Sequence, residues 1–338
     1  MSIGSSILEF ITGFSDIIFK KEDNIGQEQN IPEQKYQPEQ ITPKKYSFRP
    51  RNLDEYIGQE NAKELTKLNL QKIINGKASH FIISGTKGTG KSTLAYIIAN
   101  HLGFKIHTYI GGAFTFDNLN KFLIDNEQSQ IPNILFVDEI HGIDVSLGEF
   151  LYPILEDFLM PESNVNLRNF IFIGATTEKN VLQKKLSPLL DRCQANINLE
   201  HYNSDDIAKI IKQYNQQVYN KTIPEEIYKI IGLNSRYTPR IAIGLFDDYM
   251  VTNNMDKVLK AHRIIKNSLT TDDILVLRHL AEINKAVGVE VLAIITQQTK
   301  QDYMALQEPF LISDGYLSRS SRGRGITEKG KQLLEELK

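Results

Sequence analysis

Short apolar runs separated by stretches with helical spacing dominate the chain between residues 48 and 200. Three runs are apolar at almost every position, and they cover residues 81–84, 134–137 and 170–174. Continuous apolar runs of this length are typical of strands buried on both faces of a parallel sheet. The stretches between them predict helices in right-handed crossovers. The pattern therefore predicts an α/β domain built on a parallel sheet.

The pattern changes in the second half of the chain. Residues 203–267 show helical spacing only, which predicts a small helical domain. From Thr270 onward we expect three helices, at residues 271–283, 290–297 and 300–312, followed by a short strand and a flexible loop rich in glycine and arginine. Three helices with a basic hairpin predict a winged helix, a variant of helix-turn-helix.

The first 47 residues differ from both parts. Residues 22–47 are polar and rich in Gln, Glu, Lys and Pro, which predicts a linker. Residues 1–21 are expected to form a helix with one apolar face, because apolar residues recur every three or four positions, at Ile3, Ile7, Ile11, Phe14 and Ile18. We therefore expect regions at residues 1–47, 48–200, 201–268 and 269–338.

Composition limits the classes of protein that need consideration. Of the 338 residues 41% are hydrophobic and 24% are charged, as in globular proteins, and the net charge of −2 gives no overall basic field. The single cysteine, Cys193, excludes an intramolecular disulfide. No apolar run has the length of a membrane span, and the N-terminus lacks signal-peptide features. We expect a cytoplasmic protein without a membrane partner.

A glycine-rich run follows the first predicted strand. Residues 85–93 fit the P-loop pattern G-x-x-x-x-G-K-[ST]. In this pattern backbone N–H groups surround phosphates, the lysine contacts the β and γ oxygens, and the hydroxyl joins the Mg²⁺ shell. We expect ATP and Mg²⁺ here, with Ser92 as a metal ligand. The predicted nucleotide contacts are Gly85, Gly88, Thr89, Gly90, Lys91, Ser92 and Thr93.

Two carboxylates end the second predicted strand. We expect Asp138 to hold Mg²⁺ and to contact the nucleotide, and Glu139 to orient and deprotonate the attacking water. The third predicted strand leads into Thr176 and Thr177. We predict that the Thr177 hydroxyl senses the γ-phosphate and that Thr176 caps a turn. The catalytic residues predicted from this part of the chain are Lys91, Glu139 and Thr177.

Six ordered motifs resemble those of the RuvB family of AAA+ ATPases, and the resemblance spans roughly residues 48–330. They are an entry segment at residues 48–59, a Walker B segment at 135–141, a further segment at 151–157, sensor 1 at 174–177, a finger segment at 187–192 and sensor 2 at 236–242. The resemblance implies an AAA+ P-loop domain, a small helical lid domain and a C-terminal winged helix. In this family the entry segment lies over the adenine, which implies contacts from Arg49, Tyr56 and Ile57.

The resemblance also implies two catalytic arginines. Arg192 corresponds to the arginine finger, and Arg240 to the sensor 2 arginine on the lid. A guanidinium suits this role because the transition state of phosphoryl transfer spreads negative charge over three oxygens. Arg192 is expected to act on the nucleotide of a neighbouring subunit, which implies self-association into a ring, a hexamer in this family. The competing interpretations are a surface arginine for Arg192 and a helix cap for Arg240.

The predicted winged helix contains a local basic cluster. Arg319, Arg322 and Arg324 lie in the glycine and arginine loop, where they suit contacts with DNA phosphates that are independent of sequence. We therefore expect a DNA partner, branched or duplex. A solvated charge cluster is the alternative.

The chain departs from the family at two places. The family carries a long β-hairpin before sensor 1 that docks its junction-binding partner, RuvA, whereas only residues 158–169 fill this gap here. A stub from residues 158–160 and 165–167 remains conceivable, so docking of RuvA is in doubt. Residues 1–47 have no counterpart, and their predicted helix either binds an unknown partner protein or packs on its own chain.

Three functions are compatible with these features. The first is a ring-shaped DNA motor that hydrolyses ATP and drives Holliday-junction branch migration or related translocation. The second is a clamp or helicase loader, and the third is an ATP-switched scaffold recruited by residues 1–21. Complete Walker B carboxylates and a candidate finger argue against a pure switch.

Overall fold

A computed structural model describes residues 48–159 and 166–337, and the predicted N-terminal helix and linker lie outside this range. The largest part is a five-stranded parallel sheet with the strand order β2-β3-β4-β1-β5. Its strands are β1 Phe81–Ser84, β2 Lys105–Ile110, β3 Asn133–Asp138, β4 Ile171–Thr176 and β5 Ala195–Asn198. The three predicted strands are thus β1, which has the predicted ends, and β3 and β4, whose ends are shifted by one or two residues.

Helices cover both faces of this sheet. Alternate strand residues face opposite ways, so Phe81 and Ile83 belong to one core whereas Ile82 belongs to the other. Burial of both faces explains why the strands are apolar at consecutive positions. The helices of this part are α1 Glu60–Ile74, α2 Lys91–Leu102, α3 Phe116–Gln128, α4 Val145–Asp157, α5 Lys179–Lys185 and α6 Ser187–Asp191.

Four helices with a core of their own follow the sheet. They are α7 Ser204–Val218, α8 Glu225–Leu233, α9 Pro239–Thr252 and α10 Met255–Ala261. The expectation of helices only up to residue 267 is wrong at its end, because β6 Ile264–Lys266 pairs antiparallel with β7 Leu269–Thr270. Asn267 and Ser268, which connect these strands, both have positive φ, so the chain reverses in a tight turn.

The C-terminal part is a winged helix with a hydrophobic core of its own. Its elements are α11 Thr271–Ile283, α12 Val289–Ile295, α13 Lys300–Asp302, a π-helical turn Tyr303–Gln307, α14 Glu308–Ser313, β8 Leu317–Ser320, β9 Gly323–Ile326 and α15 Glu328–Glu336. The predicted third helix is therefore interrupted. Pro309 cannot donate a backbone hydrogen bond to the preceding turn, which explains why regular helix does not run through.

The short segment between α4 and β4 begins as a hairpin. Leu159 and Asn166 form an antiparallel bridge, and the Leu167 amide donates to the Phe158 carbonyl at 2.7 Å. Residues 160–165, between them, lie outside the described range. The base of the predicted stub is thus present. No helix of the described residues is long and apolar enough to cross a membrane.

Candidate nucleotide site and nucleic-acid interface

The glycine-rich run lies between β1 and α2, at the carboxyl edge of the sheet. Gly88 and Gly90 have φ values of 86° and 102°, which L side chains rarely adopt. A Cβ on Gly88 would lie 2.7 Å from Thr238 Cγ2, and one on Gly90 would lie 2.7 Å from the Tyr56 hydroxyl. Glycine is therefore required at both positions. The remaining predicted contacts, Gly85 and residues 89–93, belong to the same loop and the start of α2.

Lys91 is the buried cation of this loop. Its Nζ donates to the carbonyl oxygens of Gly85 at 3.0 Å and Thr86 at 3.1 Å. Burial lowers the pKa of Lys91, while Glu139 and Asp138 raise it and Arg240 lowers it further. The two carboxylates therefore help to keep a partly desolvated lysine charged.

A hydroxyl and a carboxylate face each other beside Lys91. The Ser92 hydroxyl donates to Asp138 Oδ2 at 2.9 Å, and the amide of Glu139 donates to Asp138 Oδ1 at 3.0 Å. Asp138 is the last residue of β3, so the strand carries its carboxylate to the sheet edge next to the P-loop. Oxygen ligands of this kind suit Mg²⁺, which normally takes one or two protein groups and completes its shell with phosphates and water.

Glu139 has a left-handed backbone, with φ at 50°. Its Oε2 accepts from the Thr177 hydroxyl at 2.8 Å and from the Thr177 amide at 3.1 Å. The end of β4 thus holds the carboxylate that follows β3, since the two strands are neighbours. Thr176 Oγ1 accepts from the amide of Glu178 at 3.0 Å, as expected of a turn cap.

His141 belongs to this cluster although sequence reasoning did not select it. Its Nδ1 lies 3.1 Å from Thr176 Oγ1 and 3.4 Å from Glu139 Oε2, and its Nε2 lies 3.6 Å from Glu178 Oε1. The imidazole therefore lies between two carboxylates and orients one of them. Its position in the sequence, two residues after Glu139, was the available signal.

Residues of the entry segment line the opposite side of the same cleft, which measures about 440 Å³. Arg49 and Ile57 are among them, and the Arg49 guanidinium lies 4.2 Å from the centroid of the Tyr96 ring. Tyr56 is 3% exposed, with its hydroxyl 3.4 Å from the Gly90 carbonyl. Burial raises the pKa of Tyr56. Tyr56 thus contacts the P-loop as well as lining the cleft.

The helical lid closes the cleft from a third side. Arg240, the second residue of α9, lines it and lowers the pKa of Lys91, which places its charge close to the P-loop. Ile210, Gln213 and Ile243 also line the cleft. Sequence reasoning missed these three because helical spacing alone does not show which lid positions face the nucleotide side.

Arg192 lies outside its own cleft. One guanidinium nitrogen lies 2.6 Å from Glu156 Oε2, and another donates to the Pro188 carbonyl at 2.9 Å. The guanidinium carbon lies 5.1 Å from the Tyr152 ring centroid. Arg192 is not among the residues that line the cleft.

The basic cluster of the winged helix lies on a two-stranded hairpin, which corrects the expectation of a flexible loop. Arg319 in β8 pairs with Arg324 in β9, and Arg322 lies in the turn between the strands. The Arg319 side chain is 58% exposed and lies 3.7 Å from Glu308. Arg322 is exposed.

Arg324 occupies a different environment, which corrects its assignment as a DNA contact. It is 8% exposed, and its Nε and Nη2 each donate to one carboxylate oxygen of Glu308 at 3.0 Å. Glu308 is 3% exposed, so the pair is buried. A buried guanidinium whose Nε and Nη2 both donate to a buried carboxylate is poorly placed to contact a phosphate.

The parallel sheet with its P-loop, the paired carboxylates after β3 and the arginine-bearing helical lid define a P-loop ATPase of the AAA+ class. Comparison with known proteins agrees with this class. The family model "Holliday junction DNA helicase RuvB P-loop domain" matches residues 48–199, and "RuvB C-terminal winged helix domain" matches residues 266–335.

Whole-length relatives extend the agreement. The Holliday junction branch migration complex subunit RuvB of Mycoplasmopsis pulmonis is 34% identical over 322 residues, covering 87% of this chain and 99% of that protein. The structure of the Thermotoga maritima RuvB Holliday junction branch migration motor is 32% identical, with a TM-score of 0.71 over 85% of this chain and 98% of that one. The ORC2 protein of Aeropyrum pernix, 13% identical with a TM-score of 0.51 over 86% of this chain and 94% of that one, shares the fold alone. The chain belongs to the RuvB family.

Proposed function

We propose that this chain is an ATP-hydrolysing DNA motor that works as a ring, a hexamer in the simplest form, and drives branch migration of Holliday junctions. The observation that carries the proposal is that Thr177 holds the Glu139 carboxylate by two hydrogen bonds in the cleft that Lys91 and Arg240 also line. A protein that only binds ATP as a switch does not need a water-activating carboxylate held by a second strand. Full-length similarity to RuvB proteins supports the choice of DNA substrate.

The proposed division of labour in the cleft follows from the contacts. Lys91 and the loop amides bind the β- and γ-phosphates, and Glu139 takes a proton from the attacking water while Thr177 holds its carboxylate in place. Ser92 and Asp138 would hold Mg²⁺, which when bound offsets phosphate charge. Among the described residues no cluster of three acidic, histidine or cysteine ligands exists, which fits a metal shared with the nucleotide.

The neighbouring subunit would supply the remaining charge. Arg192 does not line its own cleft and is paired with Glu156 in the single chain. In the proposed ring it contacts the γ-phosphate held by the adjacent subunit, where a guanidinium stabilises the negative charge of the transition state. Ring closure then completes each site, because one subunit contributes the P-loop and the next contributes the finger.

Docking of RuvA is not part of the proposal. Residues 158–170 connect α4 to β4, and among the residues of this segment that the structure describes Leu159 and Asn166 form an antiparallel bridge. The chain would instead hold DNA through the wing, where Arg319 and Arg322 are available for phosphates.

Steady-state ATP hydrolysis with and without a four-way DNA junction tests the proposal. We expect the junction to stimulate turnover, and we expect Arg192→Ala protein mixed into wild type to lower turnover more steeply than the wild-type fraction. Arg263→Ala is a matched control, because the exposed Arg263 side chain pairs with Asp272 and neither residue lines the cleft. Turnover that does not change when the junction is added would contradict the DNA motor. Turnover that falls only in proportion to the wild-type fraction would contradict a site shared between subunits. A clamp or helicase loader would be stimulated by DNA without moving the junction.

A further inference from the structure

The turn between α8 and α9 has an unusual backbone. Arg236 and Tyr237 are consecutive residues with φ values of 47° and 53°. Non-glycine residues are uncommon in this left-handed region, and such a conformation persists where its surroundings hold it. The contacts of these two residues show what holds the turn.

The side chain of Arg236 leaves the lid and enters the winged helix. Its Nη2 lies 2.5 Å from Asp273 Oδ2 in α11, and its Nη1 donates to the Leu306 carbonyl at 2.7 Å. The guanidinium carbon lies 4.8 Å from the ring centroid of Phe310 in α14. One side chain therefore contacts three separate elements of the winged helix.

Further hydrogen bonds join the same turn to the winged helix and to the connection that leads into it. The Arg236 amide donates to Ser268 Oγ at 2.8 Å, and Ser268 Oγ donates in turn to the Leu233 carbonyl at 2.9 Å. The Tyr237 hydroxyl donates to Asp314 Oδ2 at 3.3 Å. The two parts are thus joined by side-chain and backbone contacts at one place.

The ion pair at the centre of this joint is buried. Asp273 is fully buried, and the Arg236 side chain is 17% exposed. Burial raises the pKa of Asp273, and the neighbouring guanidinium of Arg236 counteracts that rise. The same Oδ2 accepts from the Thr270 amide at 2.7 Å, so the pair also fixes the first turn of α11. A guanidinium fork with several fixed acceptors constrains direction as well as distance.

The joint lies one helical turn before the nucleotide cleft. Arg240 lines the cleft, and Arg236 precedes it by four positions with Pro239 as the first residue of α9 between them. The turn before α9 therefore carries an arginine that contacts the winged helix, and the first turn of α9 carries an arginine that lines the cleft.

We propose that Arg236 is a positioning residue that transmits movement of the lid, sensed at Arg240, to the DNA-bound winged helix. This inference rests on the proposed motor function, since the winged helix must be moved by ATP turnover. Loss of the Arg236–Asp273 pair should uncouple the lid from the winged helix. ATP is then still hydrolysed, but less DNA is moved per ATP.

The first test compares base pairs of junction moved per ATP hydrolysed. We expect Arg236→Ala to lower this ratio roughly tenfold, within the usual range of coupling between sites, with the KM for ATP and equilibrium junction binding close to wild type. Arg236→Lys keeps the charge beside Asp273 but not the fork, and it should give an intermediate ratio at a temperature where it is fully folded. Arg263→Ala, which removes the exposed ion pair with Asp272 next to the joint, should leave the ratio unchanged. An unchanged ratio in Arg236→Ala would overturn the inference.

The second test does not depend on DNA movement. Amide hydrogen exchange of α11 is measured with ADP and with ATP, in protein carrying Glu139→Gln so that ATP persists. We expect the nucleotide to change exchange in α11, and we expect Arg236→Ala to abolish this response. A response that persists in Arg236→Ala overturns the inference. If the wild-type protein does not move junctions, the proposed function fails, while the exchange result still decides whether Arg236 couples cleft and winged helix.

Discussion

Acidification should weaken the ATPase core through one buried histidine, His80. It precedes β1, its Nε2 lies 3.0 Å from the Leu155 carbonyl, and its Nδ1 accepts from the Phe172 amide at 3.0 Å. A backbone amide can only donate, so Nδ1 is unprotonated and Nε2 carries the proton toward Leu155. The neutral ring thus ties the strand that leads into the P-loop to both β4 and α4. A second proton would break the bond from Phe172.

The magnitude follows from the pKa. Burial lowers the pKa of His80 from 6.5 to about 4, and the Leu155 carbonyl opposes only part of that change. Because the folded pKa lies below the unfolded one, the unfolded chain binds the proton more readily between these values. The contribution of His80 is therefore complete above pH 6.5 and declines as the pH falls. At about 1.4 kcal/mol per unit of pKa, the loss reaches about 3 kcal/mol near pH 4.

Denaturant unfolding of the ATPase core, followed from about pH 7 to pH 4.5, measures this loss. His80→Gln keeps a donor and an acceptor but does not titrate, so its stability should fall less steeply with pH than that of wild type, although it starts lower. His101→Gln, at an exposed position in α2, is the matched control and should follow wild type. If wild type and His80→Gln lose stability in parallel, the role assigned to His80 is wrong.

Three further changes test the cleft and the wing. Glu139→Gln should retain nucleotide binding in titrations but lower steady-state turnover by roughly 10²–10⁴-fold, since an amide cannot accept the proton, and near-normal turnover would exclude Glu139 as the base. Arg322→Ala should reduce the slope of the logarithm of junction affinity against the logarithm of salt concentration by about one. An unchanged slope would show that Arg322 does not contact DNA phosphates. Arg324→Ala should leave that slope unchanged and destabilise the winged helix by about 3–5 kcal/mol in denaturation, because it leaves the buried Glu308 carboxylate with only Arg319, 3.7 Å away, as a charged neighbour among the described residues. A reduced slope without loss of stability would contradict this assignment.

Local patterns were sufficient to select candidate residues wherever the cleft is built from contiguous residues. The P-loop is a strand, a glycine run and a helix in direct succession, so Lys91 and Ser92 could be selected from the sequence. Asp138 and Glu139 could be selected because the end of a parallel strand has a known place at the sheet edge. Thr177 required one further step, which is that β4 neighbours β3.

Assignments failed where the environment of a side chain depends on pairing across the fold. Arg322 and Arg324 both lie in the same glycine and arginine run of the sequence. Strand pairing, however, places Arg324 opposite Arg319, where its side chain donates to Glu308. Hairpin register and the partner sixteen residues away are invisible in a local pattern, so the two arginines could not be separated. His141 was missed for a similar reason, because its partners Thr176 and Glu178 come from β4 and the residues after it.

Movement of a synthetic four-way junction by the purified chain is the decisive measurement of motor activity. We predict ATP-dependent conversion of the junction to duplex products by wild type, and no conversion by Glu139→Gln under conditions where both proteins bind the junction. If wild type hydrolyses ATP in the presence of the junction but leaves it in place, or if Glu139→Gln converts it equally well, the chain is not an ATP-driven branch-migration motor.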